Sequence, residues 1–307
     1  MTEKRESNSA DGSSFFQNVW EILFPFLLYY LVYNAAYLIL AFLYQASVKR
    51  FGGAYGQFMT AYEATVSGVA GGLCSLISIL PLRPMLKREL SLRRGPGSGA
   101  DGEKKEASEN GGKTAEKARG REGKEAAVGK ATTGLTVMVI FACCVSLGLN
   151  SLLTLTGFAE SSQTYRRVAD RQYGVAFGMG LVLYGLISPL AEEVVFRGVI
   201  YNRLRRHFGP LVGIAASGIF FGFFHGNLVQ GVYGTLMGVL IACAYERQGS
   251  FLAPVLFHAA ANLAVYITAH VPWAQEALFT PAGCAALLAA AAGCAWAERR
   301  KGSLRGC

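Results

Sequence analysis

Hydrophobic positions in this chain come in long blocks separated by short polar breaks, not in the alternations of a soluble domain. Apolar blocks near the length at which a helix crosses a bilayer, roughly 20 residues, lie at about 20–44, 62–82, 133–157, 173–190, 210–225, 228–246, 251–269 and 281–297. The pattern predicts an all-α, polytopic membrane helix bundle of about eight transmembrane helices. The first block is longer than a signal-peptide core and no small-residue cleavage site follows it, so it reads as a retained helix. The second is rich in Gly, Ser and Ala, which suits close helix packing in lipid.

The same pattern divides the chain. Residues 1–17 form a polar tail and 18–82 hold two N-terminal transmembrane helices. Residues 83–131 break the hydrophobic pattern: Lys, Arg, Glu, Gly and Ser dominate and aromatics vanish. Such a segment buries too little apolar surface to fold alone and reads as a disordered, basic cytoplasmic linker beside anionic lipid. Residues 132–172 hold the third helix and a loop, 173–270 hold the densest set of polar residues inside apolar blocks, and 271–307 hold the last helix and a basic tail. No internal repeat is visible.

Composition narrows the class. The chain is 52% hydrophobic and only 16% charged, with a mean hydropathy of +0.32, too apolar for an ordinary soluble domain. The net charge of +9 therefore marks cytoplasmic loops, not a nucleic-acid partner. Placing 83–131 in the cytoplasm puts both termini, Arg203–Arg206, Arg247 and Arg299–Lys301 on the same side; of the strongly basic connections, the Arg166–Arg171 loop alone departs from that rule. The expected location is a prokaryotic plasma membrane, crossed several times. Six of the seven cysteines lie in apolar blocks and Cys307 ends the chain, so they read as small buried hydrophobes, not a disulfide framework.

The candidate chemistry begins at Ser188-Pro189-Leu190-Ala191-Glu192-Glu193-Val194-Val195-Phe196-Arg197. An ionisable group at membrane depth costs roughly 3 kcal/mol or more, so such groups face an interior cavity. Pro189 removes a helix hydrogen bond, and a broken helix beside two glutamates builds a polar cavity in a bundle. Glu193 and Arg197 are four apart and pair on one helix face, whereas Glu192 points about 100° away. One carboxylate is then structural and the other chemical. A carboxylate in an apolar site suits a general base near neutral pH. His207 and His270 read as interfacial, but His225 and His258 lie inside apolar blocks, and Asn262 shares a face with His258. A histidine and an amide on one face are suited to hydrogen-bonding a developing oxyanion.

These three clusters, Glu192-Glu193-x-x-x-Arg197, Phe221-x-x-x-His225 and His258-x-x-x-Asn262, resemble in order and separation the CAAX-processing endopeptidase family of the Ras-converting type, grouped with bacteriocin-processing and "abortive infection" membrane proteins. The resemblance covers about 175–270. It implies an all-α intramembrane endopeptidase that hydrolyses a peptide bond of a membrane-associated peptide or protein, in a cavity open to the cytoplasm or the bilayer. It further implies Glu192 as the base that activates water with His225, His258 and Asn262 on the oxyanion side, and Glu193 and Arg197 as support. Glu192, His225 and His258 are the ligands if the enzyme is of the metallo type, with zinc the possible metal. No His-Glu-x-x-His helix is present, and the favoured reading has no cofactor. The expected partners are the lipid bilayer and a membrane-associated substrate. Two other classes stay open: a proton-coupled or substrate transporter built on broken helices, and a non-catalytic scaffold or immunity protein on the same fold.

Overall fold

The computed structural model describes the backbone of residues 3–94 and 113–300 and the side chains of 16–93 and 133–300. Every regular element among them is helical: α1 Glu3–Phe51, α2 Gly53–Ala61, α3 Glu63–Ile79, α4 Arg83–Arg94, α5 Lys113–Leu155, α6 Gln163–Tyr173, α7 Phe177–Val182, α8 Ser188–Glu193, α9 Asn202–Phe224, α10 Leu228–Gln248, α11 Leu252–Ala269, α12 Pro272–Leu278 and α13 Pro281–Arg300. Short turns of other helical pitch join α3 to α4, α7 to α8 and α8 to α9.

Among the described residues, seven helical stretches are long and apolar enough to cross a membrane, against the eight expected. The difference lies at one place. The stretch Phe177–Phe224 is continuous by length, but Gly209 takes φ 82 and ψ 170, followed by Pro210. The positive φ is open to glycine without strain, and the proline has no N–H to continue the ladder. The chain folds back there, so that the second arm lies against the first: Phe221 meets Phe196 edge-on at 5.1 Å.

The expected linker requires a larger correction. Arg83–Arg94 is a helix, and Lys113 onward is helical backbone running into the third span; only 95–112 lie outside the described residues. Cys307 and the rest of the tail beyond Arg300 lie outside them as well. Low hydrophobicity misleads here because α4 is held by charge. Glu89 is 1% exposed and pairs with Arg203 at 3.0 Å and with Arg206. Arg93 reaches Glu246 at 3.0 Å and lies 4.1 Å over the Tyr245 ring. The backbone of α1 is helical from Glu3, within the polar tail of 1–17.

These contacts define two ends of the bundle. At one end sit α4, Arg203, Arg205 and Arg206, the last close to Glu21 near the start of the first apolar block. Gly134 of α5 comes within reach of Gln248 there. At the other end, Thr65 of α3 accepts a hydrogen bond from the Ala176 amide at 2.9 Å, and Ser151 of α5 donates to the Leu278 carbonyl at 3.2 Å. α6 caps this second end; its N-cap Ser162 accepts from the Tyr165 amide. The interior is packed from both halves. Met138, Ile241, Phe257 and Ala291 bury one cluster between α5, α10, α11 and α13. Tyr29, Leu82, Phe196 and Phe221 bury another beneath α1 and α9.

Candidate active site

The glutamates owe their position to a change of helical pitch. Leu183–Ile187 winds in the wider π register, in which the Ser188 amide reaches back to the Leu183 carbonyl. The next bond in that register would run from residue 189 to Tyr184, and Pro189 has no N–H to give. The Asn262 amide supplies the missing donor, bonding the Tyr184 carbonyl at 3.2 Å. A second π stretch, Val194–Tyr201, follows α8. Such widened turns recur at functional sites, where they re-aim side chains.

The two carboxylates separate as their spacing predicts. Glu193 and Arg197 are both fully buried, with Nη1 of the arginine 2.9 Å from Oε1 of the glutamate. Arg197 also donates through Nη2 to the Gly238 carbonyl of α10 at 2.7 Å and lies 4.7 Å over the Phe221 ring. Glu193 Oε1 takes a further hydrogen bond from His258 Nδ1 at 2.8 Å. A carboxylate shared by a guanidinium and an imidazole is a buried charge with two partners, which offsets much of its desolvation cost. Glu192 faces the other way. The Ser188 hydroxyl donates to its Oε1, and its Oε2 is buried with no hydrogen-bond partner.

The histidines have defined tautomers. A carbonyl only accepts, so the 2.8 Å contact of His225 Nδ1 with the Phe221 carbonyl places the proton on Nδ1 and leaves Nε2 with its lone pair. His258 presents Nδ1–H to Glu193 and its Nε2 lies 3.9 Å from Glu192 Oε2. Both rings rest against Phe221, at 5.0 and 5.4 Å. α9 carries His225 tightly against α10: a Cβ on Gly222 would sit 2.1 Å from Thr235 Oγ1 and 2.4 Å from the Gly231 carbonyl oxygen. Beyond His225 the chain turns through Gly226 at φ 69, and Asn227 caps α10 by accepting from the Gln230 amide.

Glu192, His225, His258 and Asn262 all line one cavity of about 210 Å³, bounded also by Ser188 and Tyr233. Glu193 and Arg197 lie behind it. Three contributors were not singled out from sequence: Ser188, the Tyr184 carbonyl and the Gly238 carbonyl. Ser188 carried a readable signal, being four residues before Glu192 on the same helix face; the two carbonyls carried none. Among the described residues no three of His, Cys, Asp and Glu are grouped to hold a metal ion. At the rim, burial pushes the Tyr165 hydroxyl up, aided by Glu160, and burial pushes Tyr173 up as well, so both are neutral hydrogen-bonding groups.

Comparison with known proteins finds a likeness over the same stretch of chain. Residues 175–264 match the family model described as type II CAAX prenyl endopeptidase, Rce1-like. The membrane peptidase candidate YdiL of Bacillus subtilis (strain 168) is 24% identical over 141 residues, 40% of this chain and 57% of that protein. The chain thus spans little more than half the length of that curated relative. No solved structure matches it. All three polar clusters lie within the matched stretch, and over residues 175–264 the chain is similar to the Rce1-like CAAX prenyl endopeptidases.

Proposed function

We propose that this protein is an intramembrane endopeptidase that hydrolyses a peptide bond of a membrane-associated polypeptide with water activated by Glu192. The observation that carries the reading is the contrast between the two adjacent carboxylates. Each keeps one buried Oε2 without a hydrogen-bond partner, but Glu193 is engaged by Arg197 and His258 behind the cavity, while Glu192 lines the cavity itself with His225, His258 and Asn262. Glu192, facing that cavity, is the carboxylate placed to act as the general base. It takes the proton of a water held with His225 Nε2, and the resulting hydroxide attacks the scissile carbonyl. His258, oriented by its Nδ1 contact with Glu193, and the second N–H of Asn262 face the oxyanion. The proton then passes to the leaving amine, completing hydrolysis. The bilayer and a membrane-associated substrate are the partners, no cofactor is used, and both termini lie in the cytoplasm, the side favoured by the basic end.

The test compares peptide termini in membranes of cells producing the wild-type chain or Glu192→Gln. Products present with wild type and absent with the folded variant are expected; the same products from both would overturn the assignment. Purified protein should keep its activity in chelator. Stoichiometric zinc, lost together with activity in His258→Ala, would overturn the metal-free reading.

A further inference from the structure

Glu192 stands between two cavities. The first is the 210 Å³ pocket of the histidines. The second, of about 500 Å³, is a groove between α1 and α3 that ends on Ser188 and Glu192. One wall is a ladder of hydroxyls one helical turn apart, Tyr29, Tyr33 and Tyr37. The other is made of small residues of α3, Ser67, Gly68, Gly71, Gly72 and Ser75. A groove with hydroxyls on one side and no bulk on the other has room for an extended backbone and groups to hydrogen-bond it.

Both cavities point the same way. The histidine pocket is lined toward its mouth by Asn150 and Leu153 at the end of α5 and by Tyr165, Gln172 and Tyr173 of α6. The groove is lined there by Ala64, Val168, Arg171 and Gln172. Neither is lined by any residue of α4, of the turn at Gly209, or of the α10–α11 connection. The basic residues concentrate at that unlined end: α4 alone carries five Lys or Arg against one Glu, and Arg203, Arg205, Arg206, Arg247, Arg299 and Arg300 join it. At the α6 end there are fewer: Lys49 and Arg50 close α1, and Arg166, Arg167 and Arg171 are interleaved with Glu160 and Asp170. A concentration of Lys and Arg beside membrane-spanning helices marks the cytoplasmic side.

We infer that Glu192 is reached from the non-cytoplasmic face, through the α1–α3 groove, and that the substrate is an extended segment of a polypeptide presented on that face. The inference rests on the endopeptidase reading and specifies where its substrate comes from. It assigns Tyr33, Tyr37 and the small residues of α3 to substrate binding. It also replaces the cavity expected to open to the cytoplasm or the bilayer.

Access is tested without reference to activity. Single cysteines are placed at Gln172, Ser67 and Ser75, from the mouth inward, and at Ser91 of α4, with the labelling of the unsubstituted protein as baseline. A charged, membrane-impermeant methanethiosulfonate is applied to intact cells and to inside-out vesicles. Labelling of Gln172→Cys, Ser67→Cys and Ser75→Cys in intact cells, falling in rate with depth, and of Ser91→Cys only in inside-out vesicles is expected. Labelling of Ser75→Cys from the vesicle side alone, or of Ser91→Cys in intact cells, would overturn the inference. The peptide termini supply a second readout. Glu192-dependent products that map to non-cytoplasmic segments support it. Products that map to cytoplasmic segments would overturn it while leaving the endopeptidase reading intact, and absence of any Glu192-dependent product would overturn both.

Discussion

Replacing Arg197 by Met keeps most of the side-chain volume and removes the charge. In the native chain the guanidinium is fully buried, bonds Glu193 at 2.9 Å and the Gly238 carbonyl at 2.7 Å, and covers the face of Phe221. Its removal leaves Glu193, also fully buried, with His258 as its remaining charge partner. Stranding a buried charge costs about 3–5 kcal/mol. Because His258 still hydrogen-bonds the carboxylate, the lower part of that range applies, about 3 kcal/mol, a factor of roughly 100 in the folding equilibrium. The double variant Arg197→Met, Glu193→Gln removes the stranded charge and should recover much of the loss, since well-packed neutral residues replace a buried pair at little cost. Denaturant unfolding of the purified protein in detergent micelles measures both. A loss below about 1 kcal/mol in the single variant, or a double variant no more stable than the single, would refute the reasoning that the pair is held together by mutual need.

Three further outcomes are expected. Gly222→Ala should destabilise the bundle markedly and lower activity, because the new Cβ meets the Gly231 backbone oxygen as well as Thr235; adding Thr235→Ala should not restore stability in the same unfolding assay, since the backbone contact persists. Asn262→Ala leaves the Tyr184 carbonyl without its side-chain donor and should cost about 1–3 kcal/mol, the desolvation penalty of an unsatisfied group, measured as a fall in unfolding midpoint; a neutral effect would remove its supporting role. Glu89→Gln should weaken the hold on α4, seen as faster proteolytic clipping within 83–94, whereas unchanged protection would show that packing alone retains the helix.

Which residues share the cavity was easier to read from the sequence than the contacts that hold them there. Glu192, His225, His258 and Asn262 were legible because polar groups in apolar blocks cost free energy, and the Glu193–Arg197 pair because four residues bring two side chains to one helix face. The bond from His258 to Glu193 was not legible, since it joins residues 65 apart on different helices. Asn262 was assigned to the oxyanion alone, yet one of its N–H groups serves a carbonyl exposed by Pro189, a need that only the π register reveals. α4 was read as linker because its stabilising partners, Arg203, Arg206 and Glu246, lie more than a hundred residues away. The turn at Gly209-Pro210 was visible as a break between two apolar blocks, and the structure supplies its angle.

The contact of Gly222 with Thr235 and Gly231 separates what this scaffold can vary from what it must keep. With no side chain on Gly222, α9 closes on α10 until it meets the Gly231 backbone and the Thr235 side chain, and His225, Phe221 and the carbonyl that holds Arg197 move as one body. Adjustment to a different polypeptide then falls to the facing wall, α1 and α3, which stands outside the matched residues 175–264. On the endopeptidase reading, reaction and recognition fall to separable parts of one chain: the first two helices can be redrawn, residue by residue, while the half that holds Glu192 and the histidines stays the same.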